Sequence, residues 1–189
     1  MLTIPNIDLQ AHWLPDDAAE AELAYLEVLH SPGDTYIDLF GENWDEYADE
    51  IIKADANGVM IDMNIDHDQS TTPTVRPVLA KIVAAFQSTK TGSCLTIVSA
   101  PSGHIWHEKS TVCKATDGGE DWCVTGSTNV TAVAFQEGNH LLVFRSNVFA
   151  ARQIAQHNAI KALCRQKHPE WQLMPLPSAP ASTVTIVAT

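Results

Sequence analysis

Residues 107–129 read HEKSTVCKATDGGEDWCVTGSTN. The D-G-G-E in the middle is a turn signal, because glycine tolerates the positive φ that tight hairpin turns demand. Strands over 110–116 and 121–125, folded about Gly118-Gly119, make an antiparallel hairpin. Side chains alternate faces along a strand, so His107 and Lys109 share one face and Trp106 and Glu108 the other. Ser127 and Asn129 likewise share a face. Folding the hairpin carries His107/Lys109 and Ser127/Asn129 to its open end. One patch then holds an imidazole, an ammonium, a hydroxyl and a carboxamide, and Gly126 leaves room for a ligand to approach the backbone.

That set of groups suits a phosphodiester. A histidine nitrogen can attack phosphorus and form a covalent intermediate. Lysine neutralises the nonbridging oxygens as a point charge. Hydroxyl and amide N–H donors hold the same oxygens and stabilise charge that develops in the transition state. The lysine supplies the positive charge that a magnesium ion supplies elsewhere, so no metal or cofactor is required. The predicted catalytic residues are therefore His107, Lys109, Ser127 and Asn129, with Lys109, Gly126, Ser127 and Asn129 binding substrate.

Outward from the hairpin the chain alternates strand and helix patterns. An amphipathic helix is expected over 18–30, with apolar residues at 23, 26 and 29, and it ends at S-P-G-D. A strand follows at 35–40. The segment 43–57 places Trp44, Tyr47, Ala48, Ile51 and Ile52 on one stripe, with Asp45 and Glu46 where the helix dipole favours acids. Gly58 marks its stop. Residues 59–66 alternate, with Val59, Ile61, Met63 and Ile65 on one face of a strand. The stretch 67–73 reads as a polar loop, 74–86 as a helix and 94–100 as a strand. Beyond the hairpin come a strand at 140–145 and a helix at 147–167 capped by Ser146 or Asn147. Strands alternating with helices give an α/β fold with a mostly parallel sheet.

H-x-K followed by G-S-x-N after a hairpin resembles the HKD motif of the phospholipase D superfamily. YIDLFGENWDEYADEIIKADANGVMIDMNID is similar to that superfamily's strand, helix and G-V strand leading to an acidic strand end. GSTNVTAVAFQEGNHLLVF is similar to the segment that follows its motif. The resemblance spans roughly residues 18–165 and points to the single-motif branch that resembles the dimeric bacterial endonucleases. It implies an α/β phospholipase D-like sandwich, a central mostly parallel or mixed sheet with helices on both faces. It also implies metal-independent phosphodiester hydrolysis through a phosphohistidine.

The chain departs from the family pattern twice. Where the family has an aspartate five residues after the motif lysine stands Lys114; the nearest acids are Asp117 and Asp121, in a longer hairpin. The family also has an acid near the strand after G-S-x-N, oriented toward the nucleophilic histidine. Glu137, Asn139 and His140 are the local choices, and counting does not decide among them. The reaction needs one histidine as nucleophile and another group to protonate the leaving oxygen. Family enzymes draw both from two motifs, and this chain has one. A homodimer with the active site at its two-fold axis is the expected partner arrangement, with pairing to a different chain as the alternative.

Other readings of the same residues stand beside this one. His104 and His107 form H-x-x-H, a zinc spacing better suited to a helix. Cys113 and Cys123 flank the turn, where core packing is the plainer role. The acids in 16–22 and 42–50 and the loop DHDQS read as solvated surface. Trp44 and Trp106 suit either a groove or the core.

Composition sets the outer bounds. The 189 residues are 45% hydrophobic and 18% charged, enough to bury a core. Residues 1–168 are expected to form a single domain and the Pro/Ser-rich 169–189 a peripheral tail. The net charge of -12, with only 11 Lys and Arg, opposes a global attraction to nucleic acid or anionic membrane. No stable membrane insertion is expected, no leader is read in the first residues, and cysteines without a C-x-x-C pair favour a reducing cytoplasm. Nuclease is the first substrate class, against a phospholipase D-type hydrolase of lipid head groups and a catalytically silent binding protein.

Overall fold

The computed structural model describes residues 8–100, 105–131 and 133–173. Its central unit is the strand–helix–strand read from the alternation: β2 (Gly33–Leu39), α2 (Asp45–Ala56) and β3 (Ile61–Asp66). β2 and β3 pair in parallel from Thr35↔Ile61 to Leu39↔Ile65. α2 buries Tyr47, Ala48, Ile51 and Ala54 on the predicted stripe. Gly58 follows it at φ 94°, a left-handed conformation that glycine adopts without a Cβ penalty.

The remaining elements are β1 (Leu9–Trp13), α1 (Ala18–Leu29), a single turn α3 (His67–Ser70), α4 (Val75–Ser88), β4 (Cys94–Val98), β5 (Lys109–Ala115), β6 (Trp122–Gly126), β7 (His140–Arg145) and α5 (Asn147–Lys167). All the strands join one seven-stranded sheet in the order β1-β7-β6-β5-β2-β3-β4. The sheet is mixed. Parallel pairing is confined to β2–β3 and β3–β4. The β1–β7, β2–β5, β5–β6 and β6–β7 pairs are antiparallel. The parallel half follows from helical crossovers, which return the chain to the same edge. The antiparallel half follows from the hairpin, which needs no crossover.

α1, α2 and α4 cover one face over an apolar core that includes Ile37, Leu39, Ile61, Met63 and Ile65. α5 covers the other face. Its buried residues are Ala150, Gln153, His157, Ile160 and Cys164, spaced three and four apart on one stripe. Ser146, one of the two expected caps, accepts from Phe149 N at 3.2 Å. Asn147 instead accepts from Asp121 N at 2.8 Å and ties the helix start to the hairpin.

Four expectations need correction. β1 was not read from the sequence. Residues 67–70 form a helical turn, because the Asp66 carboxylate accepts from the N–H groups of Asp68 and Gln69. Pro169–Leu173 form a short 3-10 turn rather than the start of a tail, and Trp171 packs on Val98, Ile160 and Cys164. Residues 174–189 lie outside the described residues. The hairpin register is also wider than a turn at Gly118-Gly119 predicts. Val112 faces Cys123 and Cys113 faces Trp122, because Asp121 Oδ1 takes the Ala115 N–H at 2.9 Å. Cys113 and Cys123 therefore lie on opposite faces of the sheet. Burial pushes their thiols up to about 11 and about 12, consistent with packing rather than reactivity.

Candidate active site

One edge of the sheet gathers the chemistry. There β2 and β3 end, β5 begins, β6 ends and β7 begins. Leu39 faces Lys109, Gly126 faces Leu141, and Trp13 of β1 faces His140. His107, Lys109, Gly126, Ser127, Asn129, Asn139 and His140 all fall at or just beyond this edge.

His107 and Lys109 form one group around Phe40, which leaves the end of β2. The Phe40 and His107 rings meet edge to face at 4.6 Å between centroids. Lys109 Nζ lies 5.3 Å from the same ring and donates to the His107 carbonyl at 3.3 Å. Lys109 is buried and makes no ion pair among the described residues. Burial lowers its pKa, with Glu108 pulling the other way. His107 is exposed, yet its pKa is also lowered, by desolvation and then by the Lys109 charge, against the pull of Asp66. A lowered imidazole pKa keeps the ring neutral and nucleophilic. Phe40 carries no signature in the motif and was not found by sequence reasoning.

Ser127 and its neighbours form a second group. Ser127 N donates to the His140 carbonyl at 3.0 Å. Ser127 Oγ accepts from His140 N at 3.0 Å and contacts Asn139 Oδ1 at 3.2 Å and His140 Nδ1 at 3.1 Å. Asn139 Nδ2 donates to Ala134 O, which fixes the amide with Oδ1 toward the serine. Asn129 Oδ1 is buried without a partner among the described residues. Such an atom costs about 1–3 kcal/mol until a ligand or water supplies one. No hydrogen bond among the described residues joins the Ser127 group to the His107–Lys109 group.

Glu137 is exposed, and Asn139 holds Ser127. Asp66 is the carboxylate that pulls on His107. It is buried and accepts from Trp106 N at 2.6 Å. The D-H-D-Q-S stretch is therefore not simply a solvated loop: its first residue anchors the segment entering the motif. Glu42 is likewise not solvated. It is buried beside the bridge to Val130, and desolvation raises its pKa well above the usual carboxylate range.

Gly126 needs a different explanation from the expected one. A Cβ there would overlap the His140 carbonyl oxygen, so the missing side chain admits β7 rather than a ligand. His104 lies outside the described residues. No group of three or more metal-ligating side chains occurs among those described. No described helix is long and apolar enough to cross a membrane.

No family model and no curated protein matches the chain by sequence. Solved structures do match. The phospholipase D family member Nuc from Salmonella typhimurium superimposes with a TM-score of 0.66 at 16% identity, over 82% of this chain and 94% of Nuc. NucT from Helicobacter pylori gives 0.66 at 12% identity, over 82% and 96%. Phosphatidylserine synthase from Haemophilus influenzae gives 0.60 at 13% identity, over 87% of this chain and 40% of the synthase. Nuc and NucT are covered almost end to end.

Proposed function

We propose that this chain, which has the phospholipase D superfamily fold, is a metal-independent phosphodiesterase acting through a phosphohistidine on His107. The observation that carries the reading is Lys109. A buried ammonium without an ion-pair partner is unfavourable until an anion arrives. It lies beside an imidazole that the same charge helps keep neutral. A phosphate diester supplies the anion and the electrophile together. A His107 nitrogen attacks phosphorus, the P–O bond to the leaving group breaks, and water then cleaves the P–N bond. Lys109, Ser127 and Asn129 hold the nonbridging oxygens, with Ser127 turning its hydroxyl from Asn139 toward the phosphate.

Nucleic acid is the first substrate class, supported by the likeness to Nuc and NucT. A lipid diester is the second, because the net charge of -12 repels a polyanion such as nucleic acid more than a zwitterionic head group. A homodimer with facing sites is part of the proposal, because two Lys109 side chains around one phosphate give an acidic protein a local cationic cleft. Four free cysteines support a reducing, cytoplasmic location. The test is an assay in excess chelator of wild type and His107→Ala on DNA, RNA, bis-p-nitrophenyl phosphate and phosphatidylcholine. Wild type is expected to turn over at least one diester and the variant none. Loss of wild-type activity in chelator, or full activity of the variant, refutes the mechanism.

A further inference from the structure

We infer that the exposed face of α5 is a binding track for the phosphate backbone of nucleic acid, leading to the edge where His107 lies. The inference rests on the phosphodiesterase reading and selects nucleic acid over lipid as its substrate class. It starts from how unevenly the charge is spread. Residues 1–68 carry 17 of the 23 Asp and Glu and a single basic residue, Lys53. Residues 138–169 carry no Asp or Glu and five of the 11 Lys and Arg: Arg145, Arg152, Lys161, Arg165 and Lys167. The net charge of -12 is therefore an average over two unlike surfaces. α1 and α2 expose Glu20, Glu27, Asp45, Glu46 and Asp49 on one side of the sheet. α5 covers the other side with no acid along its 21 residues.

The cations of α5 border its outward face. Lys161 is partly buried and paired with Asp62. Arg152, Arg165 and Lys167 are exposed and make no ion pair among the described residues. Arg165 stands on the β4 flank, where it donates to Thr96 Oγ1 at 3.1 Å. At about 3.6 residues per turn Arg152 and Lys167 fall on the opposite flank. Between the flanks Asn158 and Gln166 are exposed, and side-chain amides contact phosphate oxygens as Arg and Lys do. From Arg152 to Lys167 the helix runs about 22 Å. One nucleic-acid strand places a phosphate every 3.4 Å or so along its axis, so the face matches about six of them.

The track adjoins the site. α5 touches the motif segment on both sides of His107: Trp106 packs with Ile160 and Cys164, and Gln153 Nε2 donates to Ser110 Oγ at 2.8 Å. A strand lying along α5 reaches the catalytic edge without crossing the acidic surface of α1 and α2. Repulsion from that surface and attraction to α5 give a polyanion one side from which to approach.

The experiment compares two triple variants that change the net charge equally. Arg152→Gln, Arg165→Gln and Lys167→Gln together remove the track. Lys53→Gln, Lys90→Gln and Lys114→Gln together remove three exposed cations elsewhere. Binding of a fluorescent oligothymidylate of about 20 nucleotides is followed by anisotropy in chelator, from about 50 to about 200 mM salt. The track variant should bind at least about tenfold more weakly than wild type at low salt, and its slope of log K against log salt should be shallower by about 2. The other triple should bind within about threefold of wild type. Both should hydrolyse bis-p-nitrophenyl phosphate, too short to reach along α5, within about twofold of the wild-type kcat/KM. Equal losses of DNA binding in the two triples would reduce the effect to net charge and overturn the track. A track variant that binds DNA like wild type, or that also loses the small diester, overturns it as well. Wild type that binds no DNA yet hydrolyses phosphatidylcholine vesicles defeats the track and leaves the phosphodiesterase reading standing. Wild type that binds DNA through α5 but turns over no diester defeats that reading and leaves the track.

Discussion

The two faces of the sheet are both buried, but they are built differently. Under α1, α2 and α4 the strands present Ile37, Leu39, Ile61, Met63 and Ile65, an apolar layer held by area alone. Under α5 the alternate residues of the same strands are Asp38, Asp62, Asn64 and Asp66, all buried as well. His157 of α5 is what they bury against. Its Nδ1 lies 3.0 Å from Asp38 and its Nε2 3.2 Å from Asp62, which Lys161 also pairs. Burial alone lowers the His157 pKa, but hydrogen bonds to Asp38 and Asp62 outweigh it and raise the pKa. Asp62 shows the converse: burial raises its pKa, and His157 and Lys161 outweigh that and hold it well below the usual carboxylate range. One face is an apolar layer, and the other is an ion network.

The largest expected effect that separates the faces is His157→Ala. It strands two buried carboxylates and should cost about 3–5 kcal/mol in chemical denaturation. Met63→Ala on the apolar face leaves a cavity, with an expected cost of about 2–5 kcal/mol. pH distinguishes the two losses. A raised histidine pKa contributes stability that is complete below the ordinary value of 6.5 and is lost as pH rises through the folded value. A depressed carboxylate contributes stability present above 3.8 and lost as pH falls through the folded value. Wild type and Met63→Ala should both weaken as pH climbs past 6.5. His157→Ala should lose that part of the slope, and an unchanged slope would remove the ion network from the account.

Smaller effects test the edge where the site lies. Gly126→Ala drives a methyl into the His140 carbonyl and should cost about 1–3 kcal/mol by overpacking. A variant of wild-type stability would return Gly126 to a ligand-binding role. Lys114→Ala should change stability by no more than about 0.5 kcal/mol, because the residue is exposed. It should leave the rate of the proposed diesterase unchanged, since Lys114 pairs with Asp34 in the strand register at the far end of β5 from Lys109.

The same contrast explains what the sequence revealed. Val59, Ile61, Met63 and Ile65 alternate cleanly, so β3 and its apolar face were legible. The burial of the polar alternates was not legible, because nothing local links Asp38 and Asp62 to a histidine about a hundred residues later. α5 was found as a helix although its stripe carries Gln153 and His157. β1 was missed because Leu9–Trp13 forms an exposed edge with little apolar period. At the site, H-x-K and G-S-x-N marked the edge of the sheet. Phe40 and Asp66 come from β2 and β3, and only the tertiary fold places them beside His107. Of the three open choices for a support of His107, Asn139 and His140 both bond Ser127 and Glu137 is exposed.

The central claim is a covalent bond between His107 and phosphorus, and trapping it is the most direct test. Wild-type protein mixed with bis-p-nitrophenyl phosphate in chelator, quenched within a turnover and analysed by peptide mass spectrometry, should carry an aryl phosphoryl adduct on His107. The adduct should be absent from His107→Ala and should disappear on longer incubation as water releases it. Product formed in a burst with no adduct on His107, or an adduct on another side chain, would contradict the account.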